Sequence, residues 1–184
     1  MSRAYSRWLC ASSLGLAVAT TSSATWSIVL TNSETKEVGV ATITCLEGFD
    51  LLDFVPVVAV GQGAGAVQAA GDFDGIRRQF ILEGLSAGTS PLEMLAALAQ
   101  FEYHDVVQYG IVDTSGGSVT FSGEFTESWS GGVTGSIGPF HYAIQGNVLV
   151  GECVVPAIED AIVSTDGTLP ERLIAGMLAA RVLP

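Results

Sequence analysis

The chain has 184 residues, 48% of them hydrophobic, which is enough for one domain with a real core and too apolar for a disordered chain. Its formal net charge of −12 repels phosphate backbones and anionic lipid, which argues against nucleic-acid and membrane-surface partners. The 22 glycines follow no fixed period, so collagen-like and solenoid architectures do not fit.

Residues 1–24 read as a secretory signal and residues 25–184 as a single domain. Arg3 and Arg7 form a positive start, and Leu9 to Ala19 is an apolar run too short to span a bilayer. Ser22 and Ala24 are small residues suited to a cut before Thr25. Ala17 and Ala19 suit a cut before Thr20 equally well. Export to the periplasm or the extracellular space is expected, with no membrane attachment after cleavage. In an oxidising compartment Cys45 and Cys153 are candidates for a disulfide, with burial as small hydrophobes the alternative.

Alternation in "TWSIVLT" predicts a strand over Trp26 to Thr31. "NSETKE" is a turn, and Val38 to Cys45 completes a hairpin. Val55 to Val60 is a third strand, running into the glycine-rich "GQGAGAVQAAGD". Helical spacing of Phe73, Ile76, Phe80 and Ile81 predicts a helix from Phe73 to Leu85. "GTSPLEMLAALAQF" is a second helix with Ser90 as N-cap, Pro91 at its first position and Glu93 closing a capping box. Val106 to Asp113 and Ser118 to Gly123 form another hairpin. Glu127 to Pro139 reads as a glycine-rich loop, and a short strand ends near Gln145. Helices over Glu152 to Val163 and Leu169 to Ala180 close the chain. This order predicts an α+β fold of antiparallel sheets with helices segregated onto their faces, two stacked sheets lying between helical layers.

Thr25 draws attention because a chain that begins with threonine carries a nucleophile and its own base. The α-amine has a reference pKa of about 7.7–8.0 and can take the hydroxyl proton. The competing reading is an ordinary β-branched strand residue. "GQGAGA", Gly61 to Ala66, matches a dinucleotide fingerprint with Glu83 at ribose-binding distance. The preceding strand does not open a βαβ unit, so close backbone approach in a crowded sheet explains these glycines better. "IQGNV", Ile144 to Val148, sets polar Gln145, Gly146 and Asn147 in an apolar strand end. Asn147 and nearby N–H groups could hold an oxyanion, and a turn with unusual φ at Gly146 and Asn147 is compatible with that role. His104 and His141 have no metal-ligand spacing. Asp72 and Asp74 suit a helix start, and Arg77 and Arg78 suit ion pairs with local acid.

These segments, in this order, resemble an uncharacterised bacterial family, domain of unknown function 1028. The matching stretches are "TWSIV" from Thr25 followed by Gly39, Val40 and Ala41, "VPVV" with the glycine run into Gln68, "QYGIVD" from Gln108, "TFSGE" from Thr120, Trp129 with Gly131, and "IQGNVL" from Ile144. The resemblance spans about Thr25 to Ala180. It implies a four-layer αββα sandwich of the N-terminal-nucleophile (Ntn) hydrolase type. Thr25 would be the nucleophile, Gln68 and Asn147 pocket residues, and Ser27 a neighbour. Many members carry a Ser-Lys or Ser-Arg pair where this chain has Thr44-Cys45. Many also continue into a final strand where this chain stops at Pro184, which implies a sheet lacking its C-terminal strand.

The expectation is an exported amide-bond hydrolase. Thr25 and Asn147 are its catalytic candidates, and Ser27, Gln68, Gln145 and Gly146 its binding candidates. The alternative is a catalytically silent module that binds a small ligand or a partner on the same scaffold. A small-molecule or peptide substrate is expected, no cofactor or metal is called for, and a homo-oligomer is left open.

Overall fold

The computed structural model describes residues 24–48 and 50–181. The signal segment, including Cys10, lies outside the described residues apart from Ala24 at its end. The described residues form eight strands and four helices. In chain order these are β1 (Thr25–Asn32), β2 (Val38–Thr44), β3 (Pro56–Ala59), β4 (Gly63–Ala69), α1 (Ile76–Ala87), α2 (Pro91–Leu98), β5 (Val107–Asp113), β6 (Ser118–Ser122), β7 (Trp129–Ile137), β8 (Phe140–Leu149), α3 (Val154–Ser164) and α4 (Leu169–Arg181).

The strands make two four-stranded antiparallel sheets, with orders β2-β1-β8-β7 and β3-β4-β5-β6. Alternation along β1 explains how the first sheet is covered. Ile28 and Leu30 face a core completed by Ile144, by Ile158 and Ile162 of α3, and by Leu169 and Ala180 of α4. Val29 faces the other way, onto Ala64, Ala66, Val112 and Ala143, which join the two sheets face to face. On the far side of the second sheet, Val67, Tyr109 and Ile111 pack on Ile81, Leu85, Met94 and Leu98 of α1 and α2. The result is an α+β sandwich of two antiparallel sheets with a helix pair on each outer face.

The glycine-rich run after β3, whose glycines were expected to serve close backbone approach in a sheet, is a strand, and so is much of the segment expected as a loop from Glu127 to Pro139. Gly61 to Ala69 turns at Gly61, where φ is 75°, and then runs as β4. No helix follows, as a dinucleotide fingerprint requires. A Cβ on Gly63 would come within 2.6 Å of the Val112 carbonyl oxygen, so the glycine permits close strand approach. The predicted loop from Glu127 to Pro139 contains β7, paired with β8 along its length and bulged between Trp129 and Gly131. Its glycines lie under bulky neighbours: a Cβ on Gly135 would come 2.3 Å from the Tyr142 hydroxyl.

The short strand expected to end near Gln145 is likewise longer, with β8 continuing to Leu149. Gly146 and Asn147 are ordinary strand residues, and the unusual φ belongs to Val148, at 54°. α1 begins at Ile76, not Phe73, because the Asp72 carboxylate accepts from the N–H groups of Arg77 and Arg78 and fixes the start. Asp72 also forms ion pairs with both arginines, as expected from sequence. The Ser90–Glu93 capping box of α2 forms as predicted.

Cys45 and Cys153 are not bonded to each other. Cys45 follows β2 at one edge of its sheet and is an exposed thiol. Cys153 precedes α3, which packs over β7 and β8 at the other edge.

Candidate functional site

Register brings the sequence candidates together at one end of the sheet stack. Thr25 opens β1 and pairs with Asn147 of β8, and Ser27 pairs with Gln145. Position parity turns Thr25, Ser27, Gln145 and Asn147 towards the second sheet. From that sheet Gln68 of β4 and Gln108 of β5, directly paired, point back at them.

All six side chains are buried, so their polar atoms need partners. Gln108 is the hub and is fully buried. Its Oε1 accepts from Gln68 Nε2 at 2.6 Å and from Asn147 Nδ2 at 3.2 Å. Its Nε2 donates to the Gly146 carbonyl at 2.8 Å and to Ser122 Oγ at 2.7 Å. Gln68 Nε2 also reaches the Thr25 carbonyl at 3.3 Å, and Gln68 Oε1 accepts from Ser27 Oγ at 2.5 Å. One amide thus fixes the orientation of two others, and through Gln68 it fixes the backbone of Thr25.

Gln108 was not a candidate from sequence. The available signal was a glutamine inside the apolar run "VVQYGIVD", the same type of cue that singled out Gln145 and Asn147. The role of a hub depends on cross-sheet geometry that no local pattern encodes.

Thr25 is 8% exposed, and its Oγ1 lies 2.9 Å from Thr44 Oγ1 on β2. Thr25 and Asn147 line a cavity of about 400 Å³, together with Leu46, Ala69, Ala70, Val106, Phe125, Thr126, Glu127 and Val148. Ser27, Gln68, Gln145 and Gly146 do not reach its wall. Ser27 and Gln68 form the layer behind Thr25. Gln145 packs on Gly110, where an added Cβ would sit 2.1 Å from its Oε1, and neither amide atom has a hydrogen-bond partner among the described residues. Gly146 faces the helical layer, against Leu149, and contributes only its carbonyl to Gln108.

Two cavity residues, Ala69 and Val148, have positive φ, of 74° and 54°. For a β-branched residue such as Val148 this conformation is strained, and strain of this kind collects at functional sites. A larger and more open groove of about 770 Å³ lies elsewhere, between α1 and β3. It is lined by Asp74, Arg78 and Glu83 but by none of the catalytic or binding candidates and none of the buried amide network.

Among the described residues, Glu127 is the only charged side chain on the cavity wall. Lys36, Arg77, Arg78 and Arg172 are engaged elsewhere. Lys36 donates to the Thr114 carbonyl, Arg77 and Arg78 bind Asp72, and Arg172 donates to the Ile162 carbonyl and covers the Phe140 ring. His104 stacks on Phe121 with ring centroids 4.1 Å apart, outside the cavity. Its burial and the nearby Arg77 charge hold its pKa below the ordinary value of 6.5. Among the described residues no group of three or more His, Cys, Asp or Glu side chains is placed to hold a metal ion.

The sequence model of a family described as "Family of unknown function (DUF1028)" matches residues 25–182. The chain is also similar to protein SPO2555 from Silicibacter pomeroyi, known from a crystal structure and assigned to the same family. The identity is 25% and the TM-score 0.76, over 86% of this chain and 70% of that one. No curated protein matches the chain.

Proposed function

The chain belongs to DUF1028, a family of unknown function, and on that premise we propose that it is an exported amide-bond hydrolase of the Ntn type with Thr25 as nucleophile. The observation that supports this reading is the pairing of Thr25 with Asn147 across adjacent strands, both on the wall of one partly enclosed cavity. The layering of helices, sheet, sheet and helices is the architecture the Ntn resemblance implies.

The chemistry requires scission of the Ala24–Thr25 peptide bond, which export would supply. The freed α-amine is then the base. It takes the Oγ1 proton while Oγ1 adds to the substrate carbonyl carbon. One Asn147 N–H is held by Gln108 and the second can donate to the oxyanion. The amine returns its proton to the leaving nitrogen, the C–N bond breaks, and water hydrolyses the Thr25 ester. Gln68, bonded to the Thr25 carbonyl, keeps the nucleophile's backbone in place.

Intact mass and N-terminal sequencing of the exported protein test the first requirement. A start at Thr25 supports the reading, and an uncleaved chain or a start at Thr20 overturns it. Thr25→Ala in the processed protein should abolish turnover and covalent labelling by hydroxyl-directed electrophiles while the protein remains folded. Full activity in that variant would refute the assignment.

A second reading, a silent binding module, is favoured by one observation: among the described residues the cavity wall carries no cation to lower the amine pKa. It predicts a ligand that is bound and recovered unaltered, with no labelling of Thr25.

A further inference from the structure

The cavity that Thr25 and Asn147 line is electrically one-sided. Among the described residues its wall holds one carboxylate, Glu127, and no Lys, Arg or His. No hydrogen bond or ion pair engages the Glu127 carboxylate among the described residues, although the Glu127 carbonyl accepts from the Val148 N–H at 3.1 Å. That bond ties Glu127 to the strained residue of the wall. Two positions earlier, Phe125 lines the same cavity and is 62% exposed. Leu46, Val106, Ala69 and Ala70 supply the remaining apolar surface.

An exposed aromatic ring beside an unengaged carboxylate is a recognition surface for a positively charged nitrogen. The ring face and the anion both attract it, and neither can satisfy an anionic ligand. The excess of acid over the whole chain, −12 at pH 7, adds a long-range field of the same sign. On the same wall, Thr25 and Asn147 offer a hydroxyl and an amide, suited to a neutral carbonyl group.

We propose that the cavity takes small amides whose apolar body ends in a cationic amine, with the amide at Thr25 and Asn147 and the amine at Glu127 and Phe125. This assignment names the substrate class of the site proposed above and rests on that reading for the amide end. A volume of about 400 Å³ suits a ligand no larger than a dipeptide.

The test uses three amides of equal chain length, titrated by ligand-observed NMR into the full chain carrying Thr25→Ala, so that binding is read without turnover. They are ε-aminocaproamide, its uncharged isostere heptanamide, and the anion adipamate. The expected order of affinity is cationic, then neutral, then anionic. The cationic amide should lead the neutral one by about fivefold, the factor a partly exposed charge contact supplies. Glu127→Gln should remove that lead while leaving heptanamide binding unchanged. Phe125→Leu should reduce it in part.

Equal binding of cation and isostere, a lead that survives Glu127→Gln, or no binding of any of the three would overturn the proposal. Turnover is read separately, as release of ammonia from ε-aminocaproamide by the processed wild-type protein. A cation preference without turnover would sink the hydrolase reading and leave the ligand class standing. Turnover of amides with no cation preference would do the reverse.

Discussion

Replacing Gln108 by Leu tests whether the buried amide network organises this end of the molecule. Leucine fills a similar volume but offers no polar atom. Three buried groups lose a partner: Gln68 Nε2, Asn147 Nδ2 and the Gly146 carbonyl, now at 2.6, 3.2 and 2.8 Å from Gln108 atoms. Ser122 is half-buried and can turn to solvent. An orphaned buried donor or acceptor costs roughly 1–3 kcal/mol, so the three together cost roughly 3–9 kcal/mol. Burying leucine in place of an amide returns roughly 1.5–3 kcal/mol. Across these ranges the net loss is about 0–7.5 kcal/mol, centred near 4 kcal/mol, a large fraction of the roughly 5–15 kcal/mol that holds a domain together. Urea unfolding followed by tryptophan fluorescence measures it. For the central value the midpoint should fall by about 2 M with the slope unchanged, taking a slope near 2 kcal/mol per M. A double-mutant cycle with Asn147→Ala should give a coupling of about 0.5–3 kcal/mol. Additivity in the cycle would refute the hub, whatever the loss in the single variant.

Gly110→Ala should destabilise by about 1–3 kcal/mol in the same assay, because its Cβ would sit 2.1 Å from Gln145 Oε1, on a side chain with nowhere to move. Val148→Gly should raise stability by up to about 1 kcal/mol, since glycine adopts the 54° φ without strain; a clear loss would show that Val148 is not strained. His104 should titrate below 6.5 by NMR. Its folded pKa is depressed, so its contribution to stability is present above about 6.5. That contribution is lost as pH falls from there through the folded value, and His104→Phe should flatten that part of the stability–pH curve.

The site was partly legible in the sequence. Polar residues at Gln145 and Asn147 in an apolar run signalled buried amides, and both are buried. That Asn147 stands opposite Thr25 is a matter of register between strands more than a hundred residues apart, and only resemblance to a family suggested it. Cavity residues such as Phe125 and Glu127 sit on an ordinary-looking turn and become a wall only when β8 lies beside them.

What the sequence by itself determined is what short-range physics controls. Alternation set which face of β1 carries Ile28 and Leu30 and which carries Thr25 and Ser27. The Ser90–Glu93 box set the start of α2, and the positions of the helices followed from periodicity. Tertiary structure decided the rest. Glycine has no side chain with which to declare a face, so β7 reads as a loop until Thr120 and Tyr142 pack over its glycines. An amide likewise does not declare its partner. Gln108 became the hub, and Cys45 and Cys153 were not joined to each other, because contacts between sheets and across a sheet's width are fixed by how layers stack, which no single strand contains.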